Sequence, residues 1–166
     1  KAITNGYFPF GAVMLNQKIA EVFESDTTGQ ASIGSGYTYS GHPVGAAAAI
    51  ACVKETLRLK VNENAAVRGI QIYDGVKRLA EKYEIIGDVR GGHGLMTALE
   101  LTSDRTTKAA PKKDKVNAIY NAIYQNGVMV RVSGPNVILS PPLVISEKET
   151  AMIIDAIDVA MAANPL

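Results

Sequence analysis

The sequence has 166 residues, which suits one ordinary domain or two modest pieces that share a boundary. Hydrophobic residues make up 47% and charged residues 20%, which is typical of a globular protein and excludes a disordered or low-complexity chain. Because 17 basic residues face 16 acidic ones, no positive surplus exists for binding nucleic acid or an anionic membrane. The single cysteine, Cys52, cannot form an internal disulfide, so we expect a reducing compartment, the cytoplasm by default.

The first part of the chain predicts one strand and two helices. The apolar run 11–16 predicts a buried strand that leads into a helix capped by Asn16. Residues 25–41 are polar and glycine-rich, and they predict a long loop of the kind that is often functional. The small residues after Pro43 predict a helix to about residue 60, buried on most sides. Its apolar run, 44–53, is shorter than the ~18 residues that a membrane helix needs.

The rest of the chain predicts a small α/β unit. Apolar residues at three- and four-residue spacing predict two amphipathic helices. The apolar side of the first consists of Val67, Ile70, Tyr73, Val76, Leu79, Ala80 and Tyr83. A last helix begins at Ser146, which forms a capping box with Glu149. The predicted segments are helices 66–83 and 115–125, strands 85–90 and 95–101, and a hairpin of 128–131 with 137–139. We therefore predict two layers of helix and strand in this part, with the break between the two parts near residues 58–62.

The glycine-rich loop fails both common nucleotide-binding motifs. No lysine follows Gly41 as a P-loop requires, and Tyr39 stands where a dinucleotide motif needs its third glycine. Thr38 and Ser40 remain beside a proline-started helix, where they suit either a phosphate site or helix capping alone. The two histidines, His42 and His93, form no metal-ligand spacing with Cys52, so we predict that both are structural and that no metal is bound.

Several segments in order resemble the class III pyridoxal-phosphate aminotransferases, in particular the ω-amino-acid and amine:pyruvate transaminases. They are residues 1–12 (KAITNGYFPFGA), 36–46 (GYTYSGHPVGA), 88–91 (DVRG), 94–96 (GLM) with Glu100, and 141–143 (PPL). The resemblance implies an α/β fold of fold type I, comprising the C-terminal portion of the large domain and the small C-terminal domain. Residues 1–60 would then belong to the large cofactor-binding domain, and residues 61–166 would form the small domain.

The resemblance also implies roles for individual residues. Lys1 would be the lysine that forms a Schiff base with pyridoxal 5'-phosphate and carries the proton during transfer. Tyr37, through its backbone, and Thr38 would bind the cofactor phosphate of a neighbouring subunit, which implies a homodimer or tetramer. Arg131 would bind the substrate carboxylate, because a guanidinium suits a bidentate carboxylate; the alternative is a solvent-facing arginine at a strand edge. Tyr7 and Phe8 would line the pocket or pack, and we expect packing.

The implied reaction is a ping-pong transfer from an ω-amino acid or amine to an oxo acid such as pyruvate. The sequence lacks an initial Met and begins at Lys1, so we expect an upstream N-terminal part of the same protein to supply the rest of the active site. We therefore expect this chain alone to be inactive. Two alternatives stay open: another fold-type I reaction, such as a mutase or decarboxylase, and a non-catalytic chain that acts only with a partner.

Overall fold

The computed structural model describes residues 1–165, which fall into two units, Lys1–Leu59 and a second that begins at Lys60. The first unit contains two helices, α1 (Gln17–Glu24) and α2 (Pro43–Arg58), joined by the long loop that the glycine content predicts. None of the helices in the described part of the chain is long and apolar enough to cross a membrane.

Helix α1 confirms the predicted cap but not the strand before it. The side chain of Asn16 accepts the backbone N–H of Ile19 at 3.0 Å. Residues 11–16 are all exposed, with Met14 at 95%, and they pair with no strand within residues 1–165. The predicted buried strand is therefore wrong, because a strand needs a neighbour for its N–H and C=O groups and the first unit offers none.

Helix α2 begins and ends close to its predicted bounds, but the prediction that it is buried on most sides is wrong. Along α2, only Gly45 and Ala49 are buried, whereas Val53 and Leu57 are exposed. The physical reason is that the described part of the first unit has no second layer, and no large apolar side chain of that unit is buried.

The second unit is a four-stranded antiparallel sheet with three helices. In chain order its elements are α3 (Val61–Lys82), β1 (Ile86–Arg90), β2 (Thr97–Leu101), α4 (Lys113–Gln125), β3 (Arg131–Ser133), β4 (Asn136–Leu139) and α5 (Glu147–Ala162). The strand order is β1-β2-β4-β3, and every neighbouring pair is antiparallel. The predicted hairpin is present, although its first strand begins at Arg131 rather than at Val128.

The helices of the second unit share one core with the sheet. Helix α3 contacts α5, β1 and β2, and α4 contacts α5. Apolar side chains from all three helices and the sheet form one core, which includes Ile72, Val76, Leu99, Leu101, Ile119, Ile123, Val137, Ile157 and Met161. The predicted capping box of α5 is confirmed, since Ser146 and Glu149 each bond to the other's backbone N–H. This unit therefore has the two-layer α/β architecture that the sequence predicts.

The predicted apolar face of α3 is confirmed in the second half of the helix and wrong in the first half. Val76 and Leu79 are buried, and Tyr73, Ala80 and Tyr83 pack against the core. Val67 is 57% exposed and Ile70 is also exposed, whereas Ile72 is completely buried. The helix turns this way because Gly69 lies directly against the backbone of Gly94, where a Cβ added to Gly69 would come within 2.1 Å of the carbonyl oxygen. Only a residue without a side chain permits that approach, so Gly69, which the apolar spacing does not mark, helps to set the buried face in the first half of α3.

Candidate active site

Lys1 lies at the start of a tight turn that the first unit holds in place. Its carbonyl accepts the N–H of Thr4 at 3.3 Å, and Thr4 is 1% exposed. The hydroxyl of Thr4 donates to the carbonyl of Phe8 at 2.6 Å, and Cys52 of α2 donates its thiol to the carbonyl of Ala2 at 3.8 Å. The backbone beside Lys1 is thus anchored, while the lysine itself is exposed.

The segment that follows Lys1 packs against the first turn of α2. A Cβ on Gly45 would come within 2.6 Å of Phe10 and 3.0 Å of Phe8, so the two aromatic rings occupy the space that a side chain would need. The ring of His42 lies 5.1 Å from that of Phe8. Phe8 therefore packs as expected, whereas Tyr7, at 87% exposure, does not.

A second turn of the first unit carries the residues predicted to bind phosphate. The N–H of Tyr37 donates to the hydroxyl of Ser40 at 3.0 Å, and the N–H of Ser40 donates to the carbonyl of Tyr37 at 2.9 Å. Thr38 is exposed at the tip of this turn. His42 then caps α2, because its Nδ1 accepts the N–H of Gly45 at 3.4 Å, which agrees with the structural role predicted for it.

The hydroxyl of Thr38 and the nearby N-terminus of α2 are groups that suit a phosphate. The hydroxyl of Thr38 makes no hydrogen bond within residues 1–165, and the turn leads within five residues to the N-terminus of α2, the positive end of the helix dipole. The backbone N–H of Tyr37 is already paired with Ser40, so it would have to share or exchange that bond to serve the predicted role. Of the two residues predicted to bind the phosphate, Thr38 is therefore the one whose donor is free.

Arg131 belongs to the second unit, where it lines a groove of about 530 Å³. The groove is mainly apolar and is lined by Gly127, Val128, Met129, Val130, Arg131, Ile138, Leu139, Ser140, Pro141, Pro142, Val144, Ile145, Glu149, Met152 and Ile153. Arg131 is the first residue of the edge strand β3, and its side chain is exposed. It forms no ion pair within the described part of the chain.

The other charged residue of the groove is already engaged. The carboxylate of Glu149 accepts the hydroxyl of Ser146 at 2.7 Å and its N–H at 2.8 Å, and these bonds lower the pKa of Glu149. Arg131 is therefore the groove's uncommitted charge, and an anionic group is the ligand that it would attract.

Arg90, in the DVRG segment, is bound to side chains of its own sheet. Its guanidinium donates to Glu100 at 2.5 Å, to Asp88 at 2.9 Å and to Asn136 at 2.5 Å. The bonds to Glu100 and Asp88 raise the pKa of Arg90. His93 is exposed in the loop between β1 and β2, and no group of three possible metal ligands occurs among residues 1–165.

The sequence prediction missed three polar residues of α3 that hold one wall of the groove. The side chain of Asn64 donates to the carbonyls of Leu143 and Ile145, and Arg68 and Gln71 contact Glu147. These partners lie far along the chain and are partly backbone atoms, so no local pattern in the sequence signals them.

Comparison with known proteins decides the family. The profile of the class-III aminotransferases matches residues 1–161, nearly the whole chain. The chain belongs to this family. Class-III aminotransferases depend on pyridoxal phosphate, so the cofactor predicted from the resemblance is the one that the family uses. Its fold is that of the C-terminal portion of a fold-type I transaminase, as the resemblance implied.

Curated γ-aminobutyrate transaminases match almost all of the chain. Gamma-aminobutyrate transaminase 1, mitochondrial, of Oryza sativa subsp. indica is 32% identical over 99% of this chain and 32% of its own length. The tomato protein of the same name, from Solanum lycopersicum, is 32% identical over 90% of this chain and 29% of its own. The chain thus spans about a third of the length of the curated relatives that it matches.

Two of the solved structures that match are transaminases. An amine transaminase from an uncultivated Pseudomonas species, in the PLP-bound (internal aldimine) form, has a TM-score of 0.88 and 38% identity over 98% of this chain and 37% of its own. An (S)-enantioselective omega-transaminase from Thermomicrobium roseum has a TM-score of 0.82 and 32% identity over 97% of this chain and 35% of its own.

Proposed function

We propose that the protein containing this chain transfers an amino group from an ω-amino acid or amine to an oxo acid such as pyruvate, in a ping-pong reaction that uses pyridoxal phosphate. Membership of the class-III aminotransferases supports the reaction type. The relatives support the donor class, since they are named as γ-aminobutyrate, amine and omega-transaminases. The observation that carries the proposal is the exposed Lys1 on a turn anchored by the buried Thr4.

Lys1 is the residue that we assign to proton transfer. Pyridoxal phosphate, when bound, supplies an electron sink for the carbanion at the substrate's Cα. The Nζ of Lys1 would hold the cofactor and then move the proton from that carbon, which requires an amine whose position does not drift. The hydrogen bonds of Thr4 and the packing of Phe8 and Phe10 on Gly45 support such a fixed position.

Thr38 and Tyr37 are proposed to bind the phosphate of the cofactor held by a second subunit. The unpaired hydroxyl of Thr38 and the positive end of α2 support this role, since both favour an anion. The active protein would then be a homodimer or a larger assembly.

Arg131 is proposed to bind the substrate carboxylate. Its guanidinium has no carboxylate partner within the described residues, and it lies at a mainly apolar groove where a carboxylate has no other free cation to meet. The same apolar walls suit the uncharged side chain of an amine donor.

Borohydride reduction of the whole protein, followed by peptide mass mapping, tests the role of Lys1. We expect a pyridoxyl-phosphate adduct on Lys1 and loss of alanine formation from pyruvate in Lys1→Ala. The matched control is Lys18→Ala, another exposed lysine of the first unit, which should keep both adduct and activity. Near-normal turnover in Lys1→Ala would refute the mechanism. Release of CO2 without alanine formation by the unsubstituted protein would favour the decarboxylase alternative.

The Arg131→Ala substitution tests the carboxylate site. We expect KM for pyruvate to rise at least tenfold, while KM for an uncharged amine changes little. Arg78→Ala, an exposed arginine on α3, serves as the control and should leave both values unchanged. Equal effects on the two substrates would remove Arg131 from this role.

A further inference from the structure

One wall of the Arg131 groove is held by polar side chains of α3, which we call the α3 clasp: Asn64, Arg68 and Gln71. Their spacing of four and three residues places them on one face of the helix. The Nδ2 of Asn64 donates to the carbonyl of Leu143 at 2.8 Å and to that of Ile145 at 3.0 Å. These contacts join α3 to the segment that leads into α5.

The other two clasp residues hold the next part of that segment. Arg68 donates to the carboxylate of Glu147 at 3.0 Å, and Gln71 donates to the carbonyl of Glu147 at 3.3 Å. Arg68 also donates to the side chain of Gln71 at 2.6 Å, and its own side chain is only 20% exposed. The clasp is therefore a connected set of bonds and not three separate surface contacts.

The segment that the clasp contacts has few backbone hydrogen bonds of its own. Residues 140–145 belong to no helix or strand, and Pro141 and Pro142 have no N–H to donate. One backbone bond closes a turn there, from the N–H of Ile145 to the carbonyl of Pro142 at 3.0 Å. Because Asn64 binds the carbonyls on both sides of Val144, it determines where that stretch of backbone lies.

This stretch faces the groove that Arg131 lines. Pro141, Pro142, Val144 and Ile145 all line it, together with Arg131. A shift of the wall by a fraction of an ångström would change the space beside the guanidinium without touching Arg131 itself.

We infer that Asn64, supported by Arg68 and Gln71, is a positioning residue that sets the groove's selectivity for carboxylate-bearing donors over uncharged ones. The inference rests on the proposed carboxylate role of Arg131. Asn64 acts through the wall and does not touch the substrate.

The Asn64→Asp substitution tests the inference in the whole, cofactor-loaded protein. It keeps the shape of the side chain but replaces the donor with a carboxylate that faces two carbonyl oxygens. The readout is kcat/KM for β-alanine and for 1-phenylethylamine, each obtained from the dependence of the half-reaction rate on donor concentration and followed by the absorbance of the cofactor. We expect the ratio of kcat/KM for β-alanine to that for 1-phenylethylamine to fall about tenfold, and to fall no further when Asn64→Asp is added to Arg131→Ala.

Asn164→Asp is the matched control, because Asn164 also donates its amide to a backbone carbonyl, that of Ala160 at 2.9 Å, but does not line the groove. It should leave the ratio unchanged. If Asn64→Asp does not fold, Arg68→Met should lower the ratio in the same direction by a smaller factor. An equal loss for both donors in the folded variant, or an equal shift in the control, would overturn the inference.

The outcome also separates the inference from the proposal on which it rests. If Arg131→Ala is selective for β-alanine and Asn64→Asp is not, the positioning role fails alone. If Arg131→Ala is itself unselective, the carboxylate role fails, and the inference fails with it.

Discussion

Replacing Gly69 with alanine has two opposing effects on the stability of the fold. In the interior of α3, alanine is favoured over glycine by about 1 kcal/mol of helix propensity. The new Cβ, however, would lie 2.1 Å from the carbonyl oxygen of Gly94 and 2.5 Å from its carbonyl carbon. Ordinary contacts begin near 3.4 Å, so helix and loop would have to separate by about 1 Å. Because both partners are backbone, no side-chain rotation relieves the clash.

Overpacking of this kind costs about 1–3 kcal/mol, and more where the backbone must move. Because the clash here involves backbone on both sides, we place its cost at the upper end. We therefore expect Gly69→Ala to lower the free energy of local opening by about 2 kcal/mol after the propensity gain is subtracted. Native-state hydrogen exchange of the whole protein, read on peptides from α3 and from the loop 91–96, measures this quantity.

Gly75→Ala is the matched control in the same helix. It receives the same propensity gain, but its Cβ would meet side-chain atoms of Ile154, Cδ1 at 2.3 Å and Cγ1 at 2.8 Å, which can move aside further than backbone atoms can. We expect a change within about 1 kcal/mol of the parent protein. The reasoning fails if Gly69→Ala is as stable as the parent, or if the two variants lose equal stability.

Two further predictions concern other parts of the chain. Gly45→Ala should crowd the rings of Phe8 and Phe10 at once, and because the ring of Phe8 also packs on His42, rotation of one ring cannot relieve both contacts. The segment that follows Lys1 should then shift, so the transamination rate should fall by up to about 100-fold while far-UV circular dichroism stays unchanged; a normal rate would show that this packing does not position the lysine. The hydrogen bond from Lys82 lowers the pKa of Asp158 below its ordinary value of 3.8, so their pair stabilises the fold above that pH and the contribution is lost as the pH falls through the lowered pKa. Unfolding measured against pH should show a shallower acid limb in Asp158→Asn, and an unchanged limb would contradict this assignment.

Local sequence patterns were sufficient to predict most helices and strands of the second unit. The capping box of Ser146 and Glu149, the end of α4 at Gln125 and the hairpin of β3 and β4 depend on neighbours within a few residues, so the sequence alone locates them to within a few positions. The family could also be identified from short motifs, because each motif is contiguous in the chain.

Contacts between distant segments were decided only by the tertiary structure. In the first half of α3, the apolar spacing predicts that Val67 and Ile70 are buried, but the close approach of Gly69 to Gly94 places Gly69 and Ile72 on the buried side instead. The partners of Asn64 lie 79 and 81 residues away and are backbone carbonyls, which every residue possesses. Whether the run 11–16 forms a strand depends on a neighbouring strand, which the described residues of the first unit do not provide.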